Sequence, residues 1–253
     1  MATALITGAS SGLGEEFAWN LAAAGRDIVL VARSRDRLSE IADLLAGATG
    51  VTVEVLVADL STPDGTQAVA DRLADLDRPI DLLVNNAGLA LKAGFLETTI
   101  DEEVAALDVM VRAVLVLSHA ATRAMAARGH GAILNVSSVA SWMGSGSYAA
   151  HKAWVTSFTE GLAFQLKGTG VSATAVLPGL THTEFHERAE LDAFDRFPEV
   201  AWLEPEDVVA AALAAVRRKQ VLVTPSARYG TAMGIVKVLP RTWVRAITRR
   251  NRG

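Results

Sequence analysis

The sequence predicts an α/β fold, a doubly wound parallel sheet with helices on both faces. Two observations point there. Short runs rich in Val, Ile and Leu alternate along the chain with longer segments whose apolar residues fall at helical spacing. The short runs are apolar almost throughout, as suits strands covered on both faces, rather than alternately polar and apolar. Strand–helix alternation of this kind builds right-handed crossover units whose helices lie on either side of one sheet.

Taken in order, the first strand is read at Ala4–Thr7, running into a glycine-rich turn and then a helix over Leu13–Ala24. Asp27–Val31 and Val51–Val57 supply the next two strands, each followed by a segment of helical period, Arg35–Leu45 and Thr66–Asp75. Ile80–Val84 is the fourth strand, and Ile100–Ala127 is the long helix after it. Ala132–Val136, a helix at Ala149–Leu166, Val171–Val176, a helix at Glu206–Arg217 and a last strand at Val221–Val223 complete the alternation. No linker rich in Pro, Ser or Gly and no literal repeat interrupts it. Residues 1–227 are therefore read as one domain and residues 228–253 as a basic amphipathic tail.

A composition of 51% hydrophobic and 21% charged residues is that of a core-forming chain in water. Cysteine is absent, which excludes disulfides, thiolate metal ligands and a cysteine nucleophile together. The opening apolar run stops at Thr7-Gly8, too short for a secretory leader, and the longest such run, Val208–Val216, falls well short of a membrane span. A cytoplasmic location is the expectation. The net charge of −4 conceals an asymmetry, because ten of the 24 Lys and Arg residues follow Asp207 and no acid does. An acidic body with a basic end is not the pattern of a general nucleic-acid binder, so no nucleic-acid partner is expected.

Thr7-Gly8-Ala9-Ser10-Ser11-Gly12-Leu13-Gly14 joins the first strand to the first helix. Residues without a Cβ let the chain turn sharply and let backbone N–H groups approach a pyrophosphate at the positive end of the helix. The G-x-x-x-G-x-G spacing is neither the G-x-G-x-x-G fingerprint nor a P-loop, which requires Gly-Lys-Ser/Thr. A purely structural glycine turn has the same composition, but a place directly after a first strand favours phosphate binding.

Further motifs follow in order: Asn85-Asn86-Ala87-Gly88 after the fourth strand, Ser138 after the fifth, Tyr148-Ala149-Ala150-His151-Lys152, and Pro178-Gly179 with Thr183 beyond. Together with Thr7–Gly14 they resemble the short-chain dehydrogenase/reductase family. The resemblance implies a Rossmann-type sheet of strand order 3-2-1-4-5-6-7. It also implies hydride transfer between a nicotinamide cofactor and a carbonyl or alcohol, with Ser138, Tyr148 and Lys152 catalytic. Cofactor contacts are implied for Gly8, Ser10, Ser11, Gly12, Leu13, Gly14, Asp59, Leu60, Asn86, Ala87, Gly88, Tyr148, Lys152, Pro178, Gly179, Thr181 and Thr183. Dimers or tetramers built on the two long helices are implied as well.

The chemistry stands without the family. Tyr148 opens a helix, and Lys152 lies one turn on along the same face. A free phenol titrates near 10, too high for a proton shuttle at neutral pH, and a nearby ammonium favours the phenolate. Ser138 suits a hydrogen bond to the substrate oxygen. Tyr229 has no such basic partner and is read as structural. One departure stands out: relatives usually carry an Asn in the long helix, anchoring a water that continues the proton relay, and Met110 falls at that position. A thioether cannot donate a hydrogen bond. The ten-residue separation of Ser138 and Tyr148 is also shorter than in many relatives.

At the end of the second strand, Val31-Ala32-Arg33 places Arg33 where an acid would bind the ribose hydroxyls of NAD. A guanidinium matches phosphate geometry, so NADP is expected in preference to NAD; a solvated arginine at a helix start is the plainer alternative. Leu89, Leu91, Phe95, Trp142, Met143, Phe185, Phe194 and Trp202 suggest an apolar mouth, although any lid buries such residues. His182 and His186 are spaced for a metal pair, but no His-Glu-x-x-His pattern accompanies them and no metal is expected. In the tail, Pro240 can start a helix with Arg241, Arg245 and Arg249 on one face and Trp243, Val244 and Ile247 on another. Weak peripheral contact with an anionic membrane is one reading of it; packing on the acidic body or a partner subunit is the other.

The sequence thus leads to an NADP(H)-dependent oxidoreductase acting on a small, apolar carbonyl or secondary alcohol. The alternative is an NADP(H)-binding protein with weak or no catalysis, because Met110 replaces the relay residue.

Overall fold

The computed structural model describes residues 2–89, 94–144, 146–183, 198–226, 228–231 and 234. Seven parallel strands form one sheet in the order β3-β2-β1-β4-β5-β6-β7. They are β1 (Thr3–Thr7), β2 (Asp27–Ala32), β3 (Val53–Val57), β4 (Leu82–Asn85), β5 (Gly131–Val136), β6 (Val171–Val176) and β7 (Leu222–Val223). Between them run α1 (Gly12–Ala23), α2 (Arg35–Thr49), α3 (Pro63–Ala74), α4 (Ile100–Leu107), α5 (Ala113–Arg128), α6 (Ser147–Gln165) and α7 (Pro205–Arg217). Register follows the apolar strand runs, with Leu5 opposite Val29 on one side and Leu83 on the other.

Both faces of the sheet are covered. On one, Phe17, Leu38, Ile41 and Leu45 pack with Val208 and Leu213 of α7 against Ala4, Ile6 and Leu30. On the other, Val69, Leu73, Leu117 and Met125 cover Leu5, Val29, Leu83 and Ile133. Full burial of a side chain such as Phe17 or Leu38 contributes about 2 kcal/mol. A chain of buried amides and hydroxyls ties the layers beneath the site. Asn85 Nδ2 donates to Ser118 Oγ (3.1 Å) and Asn135 Oδ1 (2.9 Å), and Asn135 Nδ2 donates to Thr159 Oγ1 (2.9 Å).

Three helices depart from their sequence-based limits by more than a residue or two. α3 begins at Pro63, ahead of the apolar period, because Pro occupies the first turn and Thr62 Oγ1 accepts from Gly65 N at 3.1 Å. α2 continues past Leu45 to Thr49 and stops where Gly50 turns left-handed at φ 73°. The long helix is not uniform: Asp108–Arg112 forms a wide π-type turn, in which Ala113 N–H reaches back to Asp108 O. The whole stretch from Ile100 to Arg128 is apolar enough to span a membrane by length and composition. Its inner face, including Ala113, Leu117, Ala121 and Met125, is instead spent on the sheet. The amphipathic part of the tail, with Arg241, Trp243, Val244, Arg245, Ile247 and Arg249, lies outside the described residues, as do Leu91, Phe185, His186 and Phe194.

Candidate active site

The loops leaving the carboxyl ends of the strands line a cleft of about 1200 Å³. It crosses the seam between β1 and β4, where the strand order reverses. Thr7, buried at the end of β1, holds the seam. Its hydroxyl donates to Val84 O (3.3 Å) and accepts from Asn86 N (3.0 Å) and Ala87 N (3.1 Å). Asn86 answers by donating Nδ2 to Thr7 O (3.0 Å) and Gly8 O (3.2 Å).

This bracing fixes a bare-backbone turn. Gly8 and Gly12 have φ of 67° and 55°, which favours glycine. A Cβ on Gly14 would collide with Gly8 O, so Gly14 serves the turn from beneath and does not line the cleft. Helix α1 starts at Gly12 with no side-chain cap from Ser11, leaving first-turn N–H groups for a ligand. The uncapped helix end and the glycine cradle fit the pyrophosphate of a dinucleotide.

At one end of the cleft stand Arg33, Ser34, Arg37, Asp59 and Leu60. Burial pushes the Asp59 carboxyl up, but the Ser61 amide (3.0 Å) and hydroxyl (2.7 Å), with the charge of Arg33, outweigh it and hold it below the usual range. Sequence reasoning missed Arg37. Its Nε donates to Ser10 O (3.4 Å), one terminal nitrogen to both Glu15 oxygens (3.0 and 2.9 Å), and the other to Glu40 (2.8 Å). It thereby clips the glycine turn to α1 and α2. A basic residue one helical turn after Arg33 was the available signal; the distant partners were not visible.

At the other end, β5 delivers Ser137 and Ser138, and α6 delivers Tyr148 and Lys152. Ser137 Oγ, another residue missed, donates to Lys152 O (2.8 Å) and shares a hydrogen bond with Thr156 Oγ1 (2.7 Å), pinning α6 to the strand end. Ser138 Oγ accepts from Ala140 N (3.1 Å) and bonds the Tyr148 hydroxyl. Burial pushes Tyr148 up to about 12, against the opposing bond from Ser138. Lys152 Nζ donates to Val136 O (2.8 Å) and lies 5.8 Å from the centroid of the Tyr148 ring. Burial brings its ammonium down to about 8.

Asn86, Ala87 and Gly88 form the floor between the two ends, and Pro178, Gly179, Thr181 and Thr183 the far wall. A Cβ on Gly12 would stand 3.2 Å from Thr183 Cβ, so this wall faces the glycine turn directly. Pro178 O accepts from Val139 N (3.0 Å), joining the wall to the residue after Ser138. Leu89, Ala105 and Val109 add apolar side chains to the lining of the cleft. Met110 is buried in the wide turn, only 1% exposed, and does not itself line the cleft. Met143 and Phe95 are exposed. His182 bonds Glu199 (3.0 Å) and stacks on Trp202, with ring centroids 4.9 Å apart. Tyr229, read as structural, bonds two backbone groups beside the far wall.

The sequence profile of short chain dehydrogenases matches residues 2–193. Sulfoacetaldehyde reductase 2 of Chromohalobacter salexigens is 37% identical over 218 residues, 81% of this chain and 84% of its own. A short-chain dehydrogenase from Sphingobium yanoikuyae, solved in complex with NADPH, superposes with a TM-score of 0.84 at 36% identity, covering 95% of this chain and 97% of that one. The bulky-bulky ketone specific alcohol dehydrogenase from Comamonas testosteroni gives 0.80 at 30% identity, covering 95% and 96%.

Proposed function

The chain belongs to the short chain dehydrogenase family, and we propose that within it this protein is an NADP(H)-preferring alcohol dehydrogenase or ketone reductase for an apolar carbonyl or secondary alcohol. The strongest support is the arrangement at one end of the cleft: the Tyr148 hydroxyl on Ser138, with the Lys152 amine over its ring. The relatives add weight, since one acts on ketones and another binds NADPH.

The dinucleotide supplies or takes the hydride when bound. Arg33, at the end of β2, would hold a 2′-phosphate and Asp59 would border the adenine. The turn from Gly8 to Leu13 would take the pyrophosphate. Asn86 to Gly88, with Pro178, Gly179, Thr181 and Thr183, would enclose the nicotinamide end. Lys152 would hold the ribose hydroxyls of that end.

The chain's own part in the chemistry is the proton. Ser138 holds the substrate oxygen beside the phenol and stabilises negative charge developing there. In reduction, Tyr148 O–H gives its proton to that oxygen, and burial keeps the proton in place at neutral pH. In oxidation the phenol must first ionise, which a charged Lys152 beside the ring favours. Leu89, Ala105 and Val109 offer the substrate an apolar wall.

The relay beyond Lys152 lacks its side-chain anchor at Met110, and this favours a second reading, a dinucleotide-binding protein of weak activity. An assay with NADPH and NADH over ketones, aldehydes and acyl thioesters separates the two. We expect turnover with NADPH above NADH, reversal of that preference in Arg33→Asp, and loss of turnover with retained NADPH affinity in Tyr148→Phe. Binding of NADPH without reduction of any substrate would favour the second reading. Self-association through the exposed apolar residues of α4, α5 and α6 forms part of the proposal.

A further inference from the structure

We propose that Tyr229 is a positioning residue for catalysis, so that the chain after β7 helps to shape the active site; this rests on the reading of Pro178–Thr183 as the wall of the nicotinamide end. Two contacts carry it. The Tyr229 ring lies directly on Gly179, where a Cβ would collide with the ring edge. Its hydroxyl accepts from Leu180 N (3.3 Å) and donates to Ala201 O (2.8 Å).

Those two backbone groups belong to stretches that meet beside the cleft. Leu203 N donates to Leu180 O (2.9 Å) and His182 N to Leu203 O (3.0 Å). Next to Tyr229, Arg228 donates to Val200 O (3.3 Å). One side chain therefore seats a glycine and bridges both stretches. Glycine loses more freedom on ordering than any other residue, so a ring laid over its backbone and a bonded neighbouring amide restrain it where it most needs restraint. The restraint has a short route to chemistry. Gly179, Thr181 and Thr183 line the cleft, and Pro178 O is bonded to the amide of Val139, beside Ser138.

The test compares Tyr229→Phe, which keeps the ring and loses both bonds, with Gly179→Ala, which keeps the hydroxyl and displaces the ring. In Tyr229→Phe, amide exchange of a peptide covering 178–183 should accelerate in the ligand-free protein. The emission of bound NADPH, which reports the surroundings of the nicotinamide, should move toward that of free NADPH. We expect kcat to fall about three- to tenfold while the dissociation constant for NADP stays within about twofold, since misplacement by a fraction of an ångström acts on orientation and not on the distant phosphate contacts. Gly179→Ala should reproduce this, and adding it to Tyr229→Ala should cost nothing more, because the collision partner is gone. Parent values of exchange in Tyr229→Phe overturn the proposal. Faster exchange with parent kcat and emission also overturns it, leaving a structural brace. A parent protein that binds no NADPH instead overturns the functional reading and removes this role with it.

Discussion

Lys152 is buried against a backbone carbonyl, and burial holds its ammonium at about 8 in place of 10.5. Below pH 8 the ammonium is present in folded and unfolded chains alike, and the folded state carries a cost of about 3 kcal/mol. As pH rises from 8 to 10.5 the folded chain has released this proton while the unfolded chain still holds it, so the cost disappears. Lys152→Met should therefore be more stable than the parent at neutral pH, by about 2 kcal/mol once the lost hydrogen bond is discounted. The advantage should fade above pH 8, while turnover falls by at least about 100-fold. Urea unfolding over a pH series checks the sign: a variant less stable than the parent at neutral pH would mean that the ammonium is not desolvated as described. Tyr148 works in the opposite direction. Held at about 12, it keeps its proton through the neutral range, so reduction should be flat with pH there and oxidation should climb toward alkaline pH.

The wide turn of Asp108–Arg112 is a feature of an element rather than of one residue, because π-type bonding, with Ala113 N–H to Asp108 O, adds a residue to the turn and rotates everything after it. Met110 sits inside it, almost fully buried. Met110→Asn should lose about 2 kcal/mol of stability, since an amide replaces a packed thioether. Turnover should nonetheless hold or rise and the NADPH dissociation constant should stay unchanged, because the variant restores a polar anchor for the relay. A large loss of kcat in a folded variant would mean that proton transfer here is built around the methionine. Nothing in Asp108-Val109-Met110-Val111-Arg112 announced the turn, since these residues suit an ordinary helix. Where the informative residues are contiguous, as in the glycine turn, Asn85–Gly88 and Tyr148–Lys152, the sequence showed which loops meet in the cleft. Where the decisive partner is distant or is backbone, it was silent. Arg37 depends on Ser10, Glu15 and Glu40, and Tyr229 depends on Leu180 and Ala201. Gly14 packs beneath the turn against Gly8 O, a backbone contact that its spacing alone did not reveal.

Across the whole molecule, Ile100, Val104, Leu107 and Leu115 remain exposed along the α4–α5 run, and Phe164 on α6 is exposed too. The inner face of that run is satisfied by the sheet, so its outer apolar residues suit a second copy. We expect the parent to sediment as a dimer or larger, and Leu107→Glu with Leu115→Glu to yield a folded, smaller species. A parent that is monomeric at assay concentration would end this reading. The seam at Thr7 has a wider consequence. Residues on its β1–β3 side, Arg33 and Asp59 among them, stand at the end proposed for the adenine, while β4 to β7 present the reacting groups and the apolar wall. The β1–β4 pairing joins these halves, and at its carboxyl end one buried threonine and one asparagine brace the joint. On the proposed reading, the residues that distinguish NADP from NAD and those that meet the substrate lie in separate stretches of chain, so exchanging Arg33 is expected to change the cofactor and leave substrate preference as it was.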